Sequence, residues 1–175
     1  MKRPHSGQEG MTAMEPVTMK KDVIISIRSS QHNGQNSDSM ELVTEGRFYK
    51  QGEHYFISYK ESELTGMDGR TTLRVDPKDK TIAMTRSGDH ATHMMFQMQQ
   101  THCTHYDTGC GSLDMGVTTR RLDIKVEEAL CMAHLRVKYI LDIGNRYVST
   151  NTIEFKIKEA QPPHGKHDSS YKGTN

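Results

Sequence analysis

No stretch of this 175-residue chain holds the roughly 20 consecutive apolar residues that would span a bilayer. Its opening residues, MKRPHSGQEGMTAMEPVTMKK, also lack the apolar segment that a secretory signal requires. Cysteines are few: Cys103, Cys110 and Cys131 form an odd set without paired spacing, which reads as reduced thiols and not as a disulfide framework. These absences predict a cytoplasmic protein. Charge of one sign is missing as well. The formal net charge is +1 with acids and bases interspersed, so neither nucleic acid nor a membrane surface is favoured as a partner. There is no Gly-rich phosphate loop, no βαβ rhythm and no internal repeat, and no cofactor is implied.

What the chain does contain is alternation. Residues 1–20 and 161–175 mix Pro, Gly, Ser and charge without an apolar period and read as disordered tails. Residues 21–160 carry one continuous pattern of period two, the mark of half-buried strands. Val23, Ile25 and Ile27 share a face, as do Tyr55, Ile57 and Tyr59. Leu73 and Val75 lead through Asp76-Pro77-Lys78-Asp79 into Ile82 and Met84, which predicts a hairpin. Leu135, Val137, Tyr139 and Leu141 alternate with polar residues, and so do Ile153, Phe155 and Ile157. The stretch RRLDIKVEEALCMAHL is read as strand, tight connection, strand. Many short strands in close succession predict an all-β protein, an antiparallel sandwich or an up-and-down barrel. Since consecutive strands tend to be neighbours, an antiparallel up-and-down β-barrel is the simplest arrangement.

The segment HATHMMFQMQQTHCTHYDTGC, His90 to Cys110, gathers four histidines, three methionines and two cysteines. A metal site needs ligands converging on one point, and no CxxC, HExxH or HxH spacing is present. The twelve methionines are spread over the whole chain, so the window reads as two strands with no metal. A turn at Gln99-Gln100-Thr101 would set Thr104 opposite Phe96 and Tyr106 opposite Met94, leaving Cys103 and His105 outward.

Several short pieces follow one another in order: YKESELTGM (Tyr59 to Met67), TTL (Thr71 to Leu73), MTRSG (Met84 to Gly88), MMFQM (Met94 to Met98), YDTGCGSL (Tyr106 to Leu113), Thr118-Thr119 and LRVKYIL (Leu135 to Leu141). This series resembles the YwiB-like family of small bacterial proteins, over roughly residues 22–159. The resemblance implies a calycin, lipocalin-like barrel in a bacterial cytoplasm. It implies no activity, because the family has no assigned function.

Parity singles out the residues able to carry chemistry. The face of Tyr55, Ile57 and Tyr59 continues to Glu61 and Glu63, and that of Ile82 and Met84 continues to Arg86. Charges on an inward face must be paired or solvated, since an isolated buried charge is very costly. An Arg86–Glu61 pair could plug one barrel end, or it could be the polar recognition group at the mouth of an apolar cavity. Tyr106, Thr119 and Tyr139 are further inward candidates, each with a hydroxyl. These six residues predict a binding protein for a small apolar or amphipathic molecule rather than an enzyme, and no catalytic residue is assigned. The alternatives are an enzyme using Glu61 with Arg86, and a packed structural or interaction barrel without a ligand. Composition and pattern define no oligomeric state.

Overall fold

The computed structural model describes residues 15–61, 69–88, 91–107 and 110–161, with Tyr106 and Asp107 placed by backbone alone. Ten strands run in chain order: β1 (Val17–His32), β2 (Ser37–Gln51), β3 (His54–Lys60), β4 (Arg70–Asp76), β5 (Thr81–Ser87), β6 (Thr92–Gln97), β7 (Thr101–Asp107), β8 (Ser112–Glu127), β9 (Met132–Ile143) and β10 (Arg146–Glu159). They form one antiparallel sheet ordered β6-β5-β4-β3-β2-β1-β10-β9-β8-β7. The sheet curls on itself into a nearly closed barrel. The alternating residues face its interior: Val23, Ile25, Phe48, Ile57, Leu73, Val75, Ile82, Val117, Leu135 and Val137 are all at most 1% exposed. Each such side chain contributes about 1.5–3 kcal/mol of burial free energy.

Sequence order and strand order part company at the open side. β6 and β7 are consecutive, yet they occupy the two edges of the sheet, and the expected pairing of Thr104 with Phe96 and of Tyr106 with Met94 does not form. The connection between them bonds elsewhere: Gln99 N–H donates to Thr119 O, and Thr119 N–H donates to Gln100 O, both at 3.0 Å. With those groups engaged by β8, β7 pairs with β8 and β6 with β5. The outward assignment of Cys103 and His105 holds, as both are exposed.

Two irregularities adjust which residues point inward. A register shift between Thr119 and Arg121 moves β8 from inward odd positions (Val117, Thr119) to inward even ones (Leu122, Ile124, Val126). A second shift between Tyr147 and Ser149 places Ser149 and Asn151 inside. One extra residue in one strand reverses the facing of everything beyond it. The connection from β8 to β9 is a single 3₁₀ turn, Glu128–Leu130, ending at Cys131 with φ 52°. Glu128 spans this end of the barrel by accepting from Lys50 Nζ at 2.8 Å and from the Tyr55 hydroxyl at 2.7 Å.

The amino-terminal boundary differs from the expected one. β1 begins at Val17, and Val17, Met19 and Lys20 pair with Gln51, Lys50 and Tyr49, so the segment read as a tail reaches into the sheet. Residues 1–14 and 162–175 lie outside the described residues. The long β1–β2 hairpin overshoots its neighbour at the other end. β3 pairs with β2 only as far as Gly46↔Tyr59, leaving Ser37–Glu45 to pair with β1 alone. This overhang forms one wall above the barrel mouth.

The expected β4–β5 hairpin is present, with Leu73 opposite Met84 and Val75 opposite Ile82. Asp76 Oδ1 accepts from the amides of Lys78 (3.0 Å) and Asp79 (2.9 Å), which closes the turn before Lys80 takes a positive φ. The Asp79 amide and then nearby His54 hold the Asp76 carboxyl below its ordinary range, against the opposing effect of burial. A carboxyl lowered on folding contributes stability above its unfolded value and loses it as pH falls through the folded one. The urea midpoint of the wild type should therefore exceed that of Asp76→Asn at neutral pH. That difference should close as the pH is taken down to about 2. A constant gap across the range would mean that the carboxylate charge contributes nothing.

Candidate functional site

The mouth lies at the end opposite Glu128, where β3 ends and β4 begins. Glu61 continues the inward face of Ile57 and Tyr59 and is only 6% exposed. Its N–H donates to Gly69 O at 3.0 Å, which fixes the chain at the strand end. Gly69 has φ +130°, and a Cβ there would fall 1.8 Å from Ser87 O, so only glycine allows β4 to start so close to β5.

Arg86 is the partner that parity predicts. Its Nε lies 3.2 Å from Glu61 Oε1 and 3.4 Å from Thr71 Oγ1, while the Thr71 hydroxyl donates to the same Glu61 oxygen. The Glu61 side chain is 3% exposed and that of Arg86 is 21% exposed, so the ion pair is buried on the acid side and reaches solvent on the basic side. Thr71 is wholly buried and absent from the six expected residues. It stands two residues before Leu73 on the same face, so alternation alone could have found it.

The pair borders a cleft of about 360 Å³. Ile27, Leu42, Met84, Ile153 and Phe155 give it apolar walls, and Asp38 and Met40 reach it from the β1–β2 overhang. Strand register also arranges the polar groups near this end. One row runs Tyr59↔Thr71↔Arg86↔Thr92, and another runs Thr119↔Tyr139↔Asn151↔Gln31↔Asp38. Below both rows the interior is apolar.

The other expected residues separate. Tyr139 is buried, with its ring 5.1 Å from that of Phe96. Burial pushes its hydroxyl up to about 12, opposed by the positive charge of Arg86. Tyr59 is also pushed up to about 12, by burial first and then by the Glu61 charge. Both phenols stay neutral at working pH, so neither adds negative charge to the mouth. Thr119 is fully buried opposite Tyr139, and its Oγ1 has no hydrogen-bond partner among the described residues. Tyr106 is placed in β7 opposite Leu113 by its backbone, and Glu63 lies outside the described residues. The cleft lining contains Glu61 and Arg86 but neither Thr119 nor Tyr139.

The His/Met/Cys window folds as β6 and β7. His93 Nδ1 lies 3.0 Å from Thr85 Oγ1, and His105 Nδ1 lies 2.6 Å from Asp114 Oδ1. Among the described residues no group of three or more His, Cys, Asp or Glu is placed to hold a metal ion. No helix among them is long and apolar enough to cross a membrane.

A domain of unknown function, DUF1934, matches residues 25–155, the greater part of the chain. The chain belongs to the DUF1934 family. The crystal structure of the YwiB protein from Bacillus subtilis superposes on it with a TM-score of 0.71 at 15% sequence identity, covering 83% of this chain and 96% of that one. At that identity the likeness concerns the fold, and it bears out the YwiB-like resemblance carried by the ordered motifs. No curated protein matches the chain in sequence. The DUF1934 chain therefore has an established fold and family, and its chemistry has to be argued from the mouth itself.

Proposed function

We propose that this DUF1934 protein is a calycin-like binding protein of the bacterial cytoplasm that takes up a small amphipathic molecule at the barrel mouth. The observation that carries this reading is the Glu61–Arg86 pair bordering an open, apolar-walled cleft. Its volume, about 360 Å³, falls within the ~300–1,000 Å³ usual for small-molecule sites, which combine apolar walls with a few placed polar groups. A pair that only plugged the barrel end would gain nothing from such a cleft. Turnover is not required by anything in the arrangement. Glu61 is engaged by Arg86 and Thr71, and the other carboxylate of the cleft lining among the described residues, Asp38, stands exposed on the overhang and not beside it in the interior.

Methionine methyl resonances offer a direct test, because Met40 and Met84 line the cleft while Met132 sits near the far end of the barrel. Titration with short amphiphiles should shift Met40 and Met84 and leave Met132 in place. Leu42→Arg, which fills the cleft from a half-exposed position, should abolish those shifts without unfolding the protein. Shifts that were uniform along the chain, or that survived Leu42→Arg, would count against the mouth as the site.

A further inference from the structure

Resting on that reading, we infer that the ligand is an uncharged amphiphile whose polar head carries a carbonyl or amide oxygen. Two features of the mouth point to this class. The first is the state of Arg86. Both of its hydrogen bonds start from Nε, to Glu61 and to Thr71. Nη1 and Nη2 make none with the described residues, although Arg86 lines the cleft and its side chain is partly solvated. A guanidinium held by Nε keeps the donors of its outer edge available in a fixed plane, ready for an acceptor oxygen. The head group must therefore accept.

The second feature is charge. Among the described residues the cleft lining carries two carboxylates, Glu61 and Asp38, against the single guanidinium of Arg86. Glu61 already uses the attraction of Arg86, and a ligand carboxylate beside it would add a further negative charge to a site with an acidic excess. Two like charges a few ångströms apart in a partly desolvated site repel strongly. An ammonium head could donate to Asp38, but it would bring a second positive charge against Arg86 and offer no acceptor to that residue's donor edge. A neutral carbonyl or amide meets neither objection. Its oxygen accepts from Arg86, and an amide N–H can donate toward Asp38 at the rim. The apolar body then lies on Leu42, Met84, Ile153 and Phe155.

Three probes with one apolar chain separate the possibilities: octanamide, octanoate and octylamine, followed at the Met84 and Met40 methyls at neutral pH. Octanamide should bind the full-length protein about tenfold or more tighter than octanoate, the direction set by like-charge repulsion in the cleft. Asp38→Asn, a substitution at an exposed position, should narrow that preference by raising octanoate affinity, and Arg86→Lys should weaken octanamide. Octanoate or octylamine binding more tightly than octanamide in the wild type would overturn the class while leaving the mouth intact as a site. If no probe moved Met84 or Met40, the binding reading itself would fail.

Discussion

Replacing Arg86 by methionine is expected to cost about 3 kcal/mol of stability, and adding Glu61→Gln should return part of it. The guanidinium is the charged partner of a carboxylate that is only 3% exposed and shares its acceptor oxygen with Thr71. Removing the cation leaves that carboxylate buried without its counter-charge, which is the costly event. Its removal in the double variant takes away the stranded charge, so the two substitutions together cost less than their sum. Arg86 reaches solvent at its outer edge, which places the expected loss at the lower end of the range for buried pairs. Urea unfolding of the wild type, both single variants and the double variant gives the coupling directly. Strictly additive losses would mean that the two groups do not act as a pair.

Phe48→Ala should be at least as damaging, with an expected loss of about 3–5 kcal/mol. Phe48 is fully buried in the last third of β2, stacked on Tyr55 with ring centroids 5.7 Å apart, and it faces the packed interior. The barrel wall around it is hydrogen-bonded on both sides, to β1 through Lys21 and to β3 through Ile57. A ladder held on both sides cannot easily collapse into the space a lost ring leaves, so the cavity penalty adds to the lost burial. Val43→Ala on the same strand serves as the control. Val43 is 68% exposed, and its truncation should change stability by less than about 0.5 kcal/mol. Comparable losses at the two positions would mean that the barrel interior is not the source of stability.

The contrast between these residues shows what alternation can and cannot report. Period two gives the facing of each side chain relative to its neighbours two residues away, and it correctly put Glu61 and Arg86 on the inward faces of β3 and β5. Their contact needed one further condition, that β4 stand between the two strands in the right register. Short consecutive hairpins supply that condition, with Tyr59 opposite Thr71 and Thr71 opposite Arg86. The same reasoning failed between β6 and β7. A short connection there predicts a ladder, but the Gln99–Gln100 turn and the irregularity at Thr119 engage each other instead.

The sequence by itself determined the strand content, the inward faces, the antiparallel barrel and the Glu61–Arg86 pair, because all of these follow from side-chain period and from pairing between neighbours in the chain. Only the tertiary structure decided where the barrel opens, how far β1–β2 rises past β3, and which walls meet the ion pair. Asp38, Met40, Ile153 and Phe155 reach the same cleft as Glu61 because β10 closes onto β1 and the overhang projects over the mouth. Ile153 and Phe155 stand more than ninety positions from Glu61 in the chain, and the geometry of such contacts depends on register summed over several strands. A single extra residue in any of those strands would turn a cleft-lining side chain outward, and local alternation carries no record of that sum.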